Sequence, residues 1–71
     1  MQKKIMDRIS QYRETGKNFF SYTEKVLVAL MCPDLYNDMM PCEYRDRPIV
    51  AFFKVLDTAQ RAVVIAHYES I

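Results

Sequence analysis

Hydrophobic positions are densest in the last third of the chain, where Ile49, Phe52, Leu56, Ala59, Val63, Ala66 and Ser70 follow one another at alternating steps of three and four. On a helix this spacing draws a single seam, the a/d pattern of helices that pack along their length. Val55, Ala62 and Ile65 form a second line beside the seam, and Phe53 and Val64 widen the apolar surface on the other flank. Read as one helix from Pro48 to Ile71, the segment is apolar on more sides than a short chain covers by itself. The pattern therefore predicts a long C-terminal helix that packs against its counterpart in a homodimer. Its expected interface is Ile49, Phe52, Phe53, Leu56, Ala59, Val63, Val64 and Ile65.

Earlier in the chain the apolar stripe is narrower. Ile5, Ile9 and Tyr12 line one face of a helix over 2–15, with Met6 beside them and charged residues on the remainder. Gly16 suits the left-handed position just past a helix C-cap. A second helix is announced by Ser21-Tyr22-Thr23-Glu24, a capping box in which serine and glutamate each satisfy the other's backbone N–H. Its face is Val26, Leu27, Leu30 and Met31, and Pro33 limits its extension by disfavouring helical geometry at Cys32. Phe19 and Phe20 are expected to fold back over the junction of these two helices.

Residues 32–47 resist a regular reading, because Pro33, Pro41 and the mixed run 42–47 interrupt any period. A short helical turn over 34–40 brings Leu35 and Met39 together, and Pro48 suits the first turn of the helix that follows. The fold class is thus all-α: three helices in one domain over 1–71, or four if the short turn is counted. The structural alternative is α+β, with a C-terminal β-hairpin of strands 49–56 and 61–68, supported by the β-branched run Val63-Val64-Ile65. Against the hairpin, its turn 57–60 has no glycine or asparagine for positive φ, whereas Asp57 and Arg61 make a well-oriented i,i+4 pair on a helix.

Size and composition sharpen the expectation of a partner. A chain of 71 residues buries only about 60% of its unfolded surface, and cores of this size lean on disulfides, metals or self-association. With 51% hydrophobic residues and one glycine, the sequence is not that of a disordered chain. Net charge is +1, which calls for neither nucleic acid nor a membrane, although residues 1–17 carry a local basic excess. Lys3, Lys4 and Arg8 are accordingly the candidate nucleic-acid contacts, on a surface less basic than such footprints usually are. A helix–turn–helix reading of 22–40 presents Asp34 and Asp38 to phosphates and brings no base-reading arginine or lysine.

Candidate chemistry is sparse. Cys32 and Cys42 are ten positions apart and His67 is the single histidine, which departs from the paired-cysteine spacing of structural zinc sites. No catalytic, cofactor-binding or metal-ligating set emerges, so the expectation is a non-enzyme without cofactors. Two unpaired cysteines and no signal peptide point to a cytoplasmic protein. Leu35, Tyr36, Met39, Met40 and Tyr44 carry two readings, a cap on the core or an adaptable partner-binding surface. The function expected from all this is a small regulator or adaptor acting through protein–protein contacts and self-association, with a nucleic-acid-associated regulator as the alternative.

Overall fold

The computed structural model describes residues 2–17 and 20–70, with side chains from Lys4 onward. The described residues form five α-helices: α1 (Gln2–Thr15), α2 (Tyr22–Met31), α3 (Tyr36–Met39), α4 (Pro48–Lys54) and α5 (Thr58–Glu69). Single 3₁₀ turns at Pro33–Leu35 and Cys42–Tyr44 link them, and there is no strand among the described residues.

The architecture follows from α2. Val26, Leu27, Val28, Ala29 and Met31 are all buried, so α2 is apolar nearly all round rather than along the single face that its spacing suggests. A helix of this kind lies at the centre of a fold. The turn at 33–35, α3, α4 and α5 all pack against it. Ile5 and Ile9 of α1 join the same core, as do Leu35, Met39, Met40, Ala51, Leu56 and Val64. The buried set among the described residues is wholly hydrophobic, and the driving force is therefore removal of apolar surface from water. Met6 does not contribute; it is 40% exposed.

Local signals fix the helix ends. Gly16 has φ +72°, and its N–H donates to the Tyr12 carbonyl at 2.8 Å, closing α1. The Ser21 hydroxyl accepts from the Glu24 N–H at 3.2 Å, and the Glu24 carboxylate accepts from the Ser21 N–H at 2.9 Å. Phe20 lies 8% exposed in the core with its ring 6.1 Å from that of Tyr12, as expected for a residue folded over the junction; Phe19 lies outside the described residues.

The single helix expected from residue 48 to 71 is instead two helices. Asp57 is extended, with φ −81° and ψ 178°, and caps α5: its carboxylate accepts from the Gln60 N–H at 2.8 Å while the Gln60 side chain accepts from the Asp57 N–H at 3.0 Å. Aspartate is a poor helix-interior residue and a good N-cap, so the cap wins over continuation. Arg61 does not pair with Asp57. Its Nε donates to the Leu56 carbonyl at 3.2 Å, serving a carbonyl that the break leaves without a helical partner.

The irregular segment is ordered by side-chain bonds to main chain. Arg45 donates to the carbonyls of Asn37 at 3.0 Å and Met40 at 3.3 Å, and Arg47 donates to the Glu43 carbonyl at 3.1 Å. The Tyr36 hydroxyl donates to the Arg45 carbonyl at 2.6 Å. These bonds replace the helical ladder that prolines 33 and 41 prevent.

Candidate interaction surface

Breaking the C-terminal helix resets the phase of every residue beyond it, and the eight expected interface positions separate. Leu56 and Val64 lie in the chain's own core, 3% and 6% exposed. Phe52 and Val63 are half-buried against that core. Ile49, Phe53 and Ile65 face outward at 68%, 60% and 50% exposure, and Ala59 is exposed with them. On α5 the outer side is formed by Thr58, Ala59, Ala62, Ile65, Ala66 and Glu69, all exposed. Between the first and last turns of that side there is no charge. Helix faces in contact with water ordinarily carry charged residues there.

At the α4–α5 corner the apolar surface is held in a fixed arrangement. The Phe52 ring meets the Phe53 ring edge-on at 5.0 Å, and the Arg61 guanidinium lies 6.0 Å from the Phe53 ring centroid. A cation over an aromatic face at an exposed site contributes about 0.5–1 kcal/mol. The ring is therefore oriented although it is exposed.

Of the middle-segment candidates, Leu35, Met39 and Met40 are core residues, while Tyr36 and Tyr44 are half-buried. Tyr36 instead joins a groove of about 390 Å³, formed with Leu30, Pro33, Asn37, Pro48 and Tyr68. Tyr68, at the end of α5, donates its hydroxyl to the Leu30 carbonyl. Leu30, Pro33, Pro48, Asn37 and Tyr68 were not among the candidate site residues of the sequence, where Leu30, Pro33 and Pro48 had only helix-forming or helix-ending roles. No period marks them, because the groove draws on four helices and a 3₁₀ turn.

On the basic side of α1, two arginines are paired within the chain. Arg8 pairs with Glu24 of α2 and lies over the Phe20 ring, 5.3 Å from its centroid. Arg13 pairs with Asp34 at 2.6 Å. Lys4 is exposed and, with Arg8, Glu24, Ile5, Leu27 and Gln60, borders a second groove of about 360 Å³. The side chain of Lys3 lies outside the described residues.

The electrostatic perturbations belong to these clasps. The hydrogen bond from Arg13 holds the Asp34 carboxyl below its ordinary range, and the bond from the Tyr22 hydroxyl does the same for Glu43. That same bond raises Tyr22 from 10.0 to about 12. Burial raises the Cys32 thiol, whereas Cys42 is exposed. His67 stacks edge-on with Tyr68 at 5.2 Å. Among the described residues, no three His, Cys, Asp or Glu side chains gather as a metal-holding group, and no helix is long and apolar enough to cross a membrane.

No protein-family model, curated protein or solved structure matches the chain significantly. The functional reading consequently rests on these surfaces.

Proposed function

We propose that this chain is a non-enzymatic interaction module, an adaptor or regulator that self-associates through the outer side of α5 and the neighbouring exposed residues of α4. The supporting observation is the run of Ala59, Ala62, Ile65 and Ala66 on the water-facing side of α5, with Ile49 and Phe53 exposed on α4. Small side chains let two helix backbones approach closely, and isoleucine gives the contact a centre. A two-fold axis brings the same face from a second copy, which is self-complementary by construction. A stable dimer buries about 800 Å² per partner, a modest share of the 4746 Å² that one chain exposes.

Light scattering at micromolar concentration tests the reading. The native chain is expected at about twice its mass of 8.4 kDa. Ile65→Asp is expected at the single-chain mass with an unchanged circular dichroism spectrum. Its side chain is half exposed, so the carboxylate meets water in the free chain and loses it only at an interface. A native chain that is folded and monomeric overturns the self-association.

A further inference from the structure

We propose that α1 is a detachable strap: it opens as a unit away from α2 while α2–α5 stay folded, and its ion pairs to the rest of the chain set how often it does so. The device is independent of self-association.

By itself the α1 sequence makes a weak helix. Its 14 residues are marginal as an isolated helix in water. The first turn holds Lys3 and Lys4 and no acidic residue, the wrong sign for the positive end of a helix dipole. α1 is therefore helical because it is docked, and the docking is narrow. Among its described side chains Ile5 and Ile9 are buried, Arg8 and Tyr12 are half-buried, and the others are exposed. Its backbone lies less closely against α2 than those of α3, α4 and α5 do. The seam is also not filled, since the groove of about 360 Å³ bordered by Lys4, Ile5, Leu27 and Gln60 separates α1 from α2 and α5.

What remains when α1 leaves can hold itself together. Apart from Ile5, Ile9 and Phe20, the buried set lies within residues 26–64. The bonds from Tyr22 to Glu43, from Tyr68 to the Leu30 carbonyl and from Arg45 to the Asn37 carbonyl all run within that part. α1 is fastened to it by Arg8 on Glu24 and Arg13 on Asp34. The side chains of the second pair are 47% and 59% exposed, so salt screens it. Gly16, directly after α1 and at φ +72°, is the hinge, because glycine changes backbone region most freely. An element held by few apolar contacts and exposed ion pairs is the kind that opens below the global transition. Its opening uncovers the Leu27 side of the central helix without unfolding the chain, and ionic strength controls that access.

The experiment is hydrogen exchange followed by NMR on the full chain, at urea concentrations below the unfolding midpoint. Amides of residues 9–15 are expected to share one opening constant, about tenfold or more above that of residues 28–31, with a shallower urea dependence because less surface is exposed. Arg13→Gln should raise the α1 constant about two- to fivefold, the worth of an exposed ion pair. Salt at about 1 M should raise it in the native chain and raise it less in Arg13→Gln. Asp57→Ala weakens a cap that stays intact when α1 is open. It should speed exchange at 28–31 about fivefold and leave α1 unchanged, whereas in all-or-none unfolding both move together.

A common opening constant and urea slope for α1 and α2 overturns the strap. So does a graded series along α1 whose last turn is as protected as α2, or an equal rise in both helices with Asp57→Ala. Insensitivity of α1 to both salt and Arg13→Gln overturns the role of the ion pairs. Repeating the exchange on Ile65→Asp keeps this proposal apart from the dimer. An unchanged α1 constant supports the strap whatever the mass of that variant, and a dimer without a separate α1 opening overturns the strap and leaves self-association standing.

Discussion

Replacing Thr58 with proline distinguishes the two-helix arrangement from a continuous helix by the sign of its effect. Thr58 is the first residue of α5, and its predecessor Asp57 is extended at ψ 178°, the conformation that a residue before proline prefers. An N–H at the first helical position has no partner within its own helix, so proline removes no bond there and brings its φ already set. The expected effect of Thr58→Pro is neutral to stabilising, by up to about 0.4–1 kcal/mol through a less flexible unfolded chain. Were 48–69 one helix, the same change would delete an interior hydrogen bond and clash with a carbonyl one turn back, costing about 3 kcal/mol or more. Asp57→Ala is its counterpart, losing a cap worth about 1 kcal/mol here, yet mildly stabilising in a continuous helix because alanine is the better helix former. Urea unfolding followed by circular dichroism, at one protein concentration for all variants, reads both. In a domain this small each kcal/mol moves the thermal midpoint by roughly 4–8 °C. Loss of about 3 kcal/mol in Thr58→Pro, or a gain in Asp57→Ala, refutes the break at 55–57.

Two further outcomes follow from side chains remote from that break. Cys42 is exposed and Cys32 buried with a raised thiol pKa, so a disulfide reagent should label one thiol in the folded protein and the second only with unfolding; simultaneous labelling of both would contradict the burial of Cys32. Asp34 and Glu43 have carboxyls held below their ordinary values in the folded chain. Their contribution is thus fully present above the unfolded carboxyl range and is lost as pH falls through it, below about pH 4. The thermal midpoint should decline there, and Asp34→Asn with Glu43→Gln should make the decline shallower. An identical slope in the double variant would remove these two groups from the account.

What could be read from the sequence were the features carried by neighbours in the chain. Ser21 with Glu24, Gly16 and Pro48 each work within one helical turn, and each stands in the structure where its local chemistry puts it. The break at 55–57 has an equally local cause, since Asp57 and Gln60 have capping-box spacing. It was hidden because the apolar period runs through it unbroken, although in the fold the cap wins over the period. Leu56 and Val64 accordingly shared the expected interface with Ile49 and Ile65 in the sequence but parted from them in space. The groove at Tyr36 and Tyr68 had no local signal at all. Its walls come from residues up to 39 positions apart, and the order of the segment beneath it depends on bonds from Arg45 and Arg47 to main-chain carbonyls, which leave no period in the sequence.

The central place of α2 also bears on how the protein is made. Residues 26–31 leave the ribosome well before α4 and α5, the helices that cover them, and the bond from Tyr68 to the Leu30 carbonyl spans 38 positions. Throughout that interval the most apolar helix of the chain has only α1 and then α3 for shelter. Nascent segments in this condition attract chaperones and one another. The order of helices along the chain thus leaves the covering of α2 to the segments that emerge last.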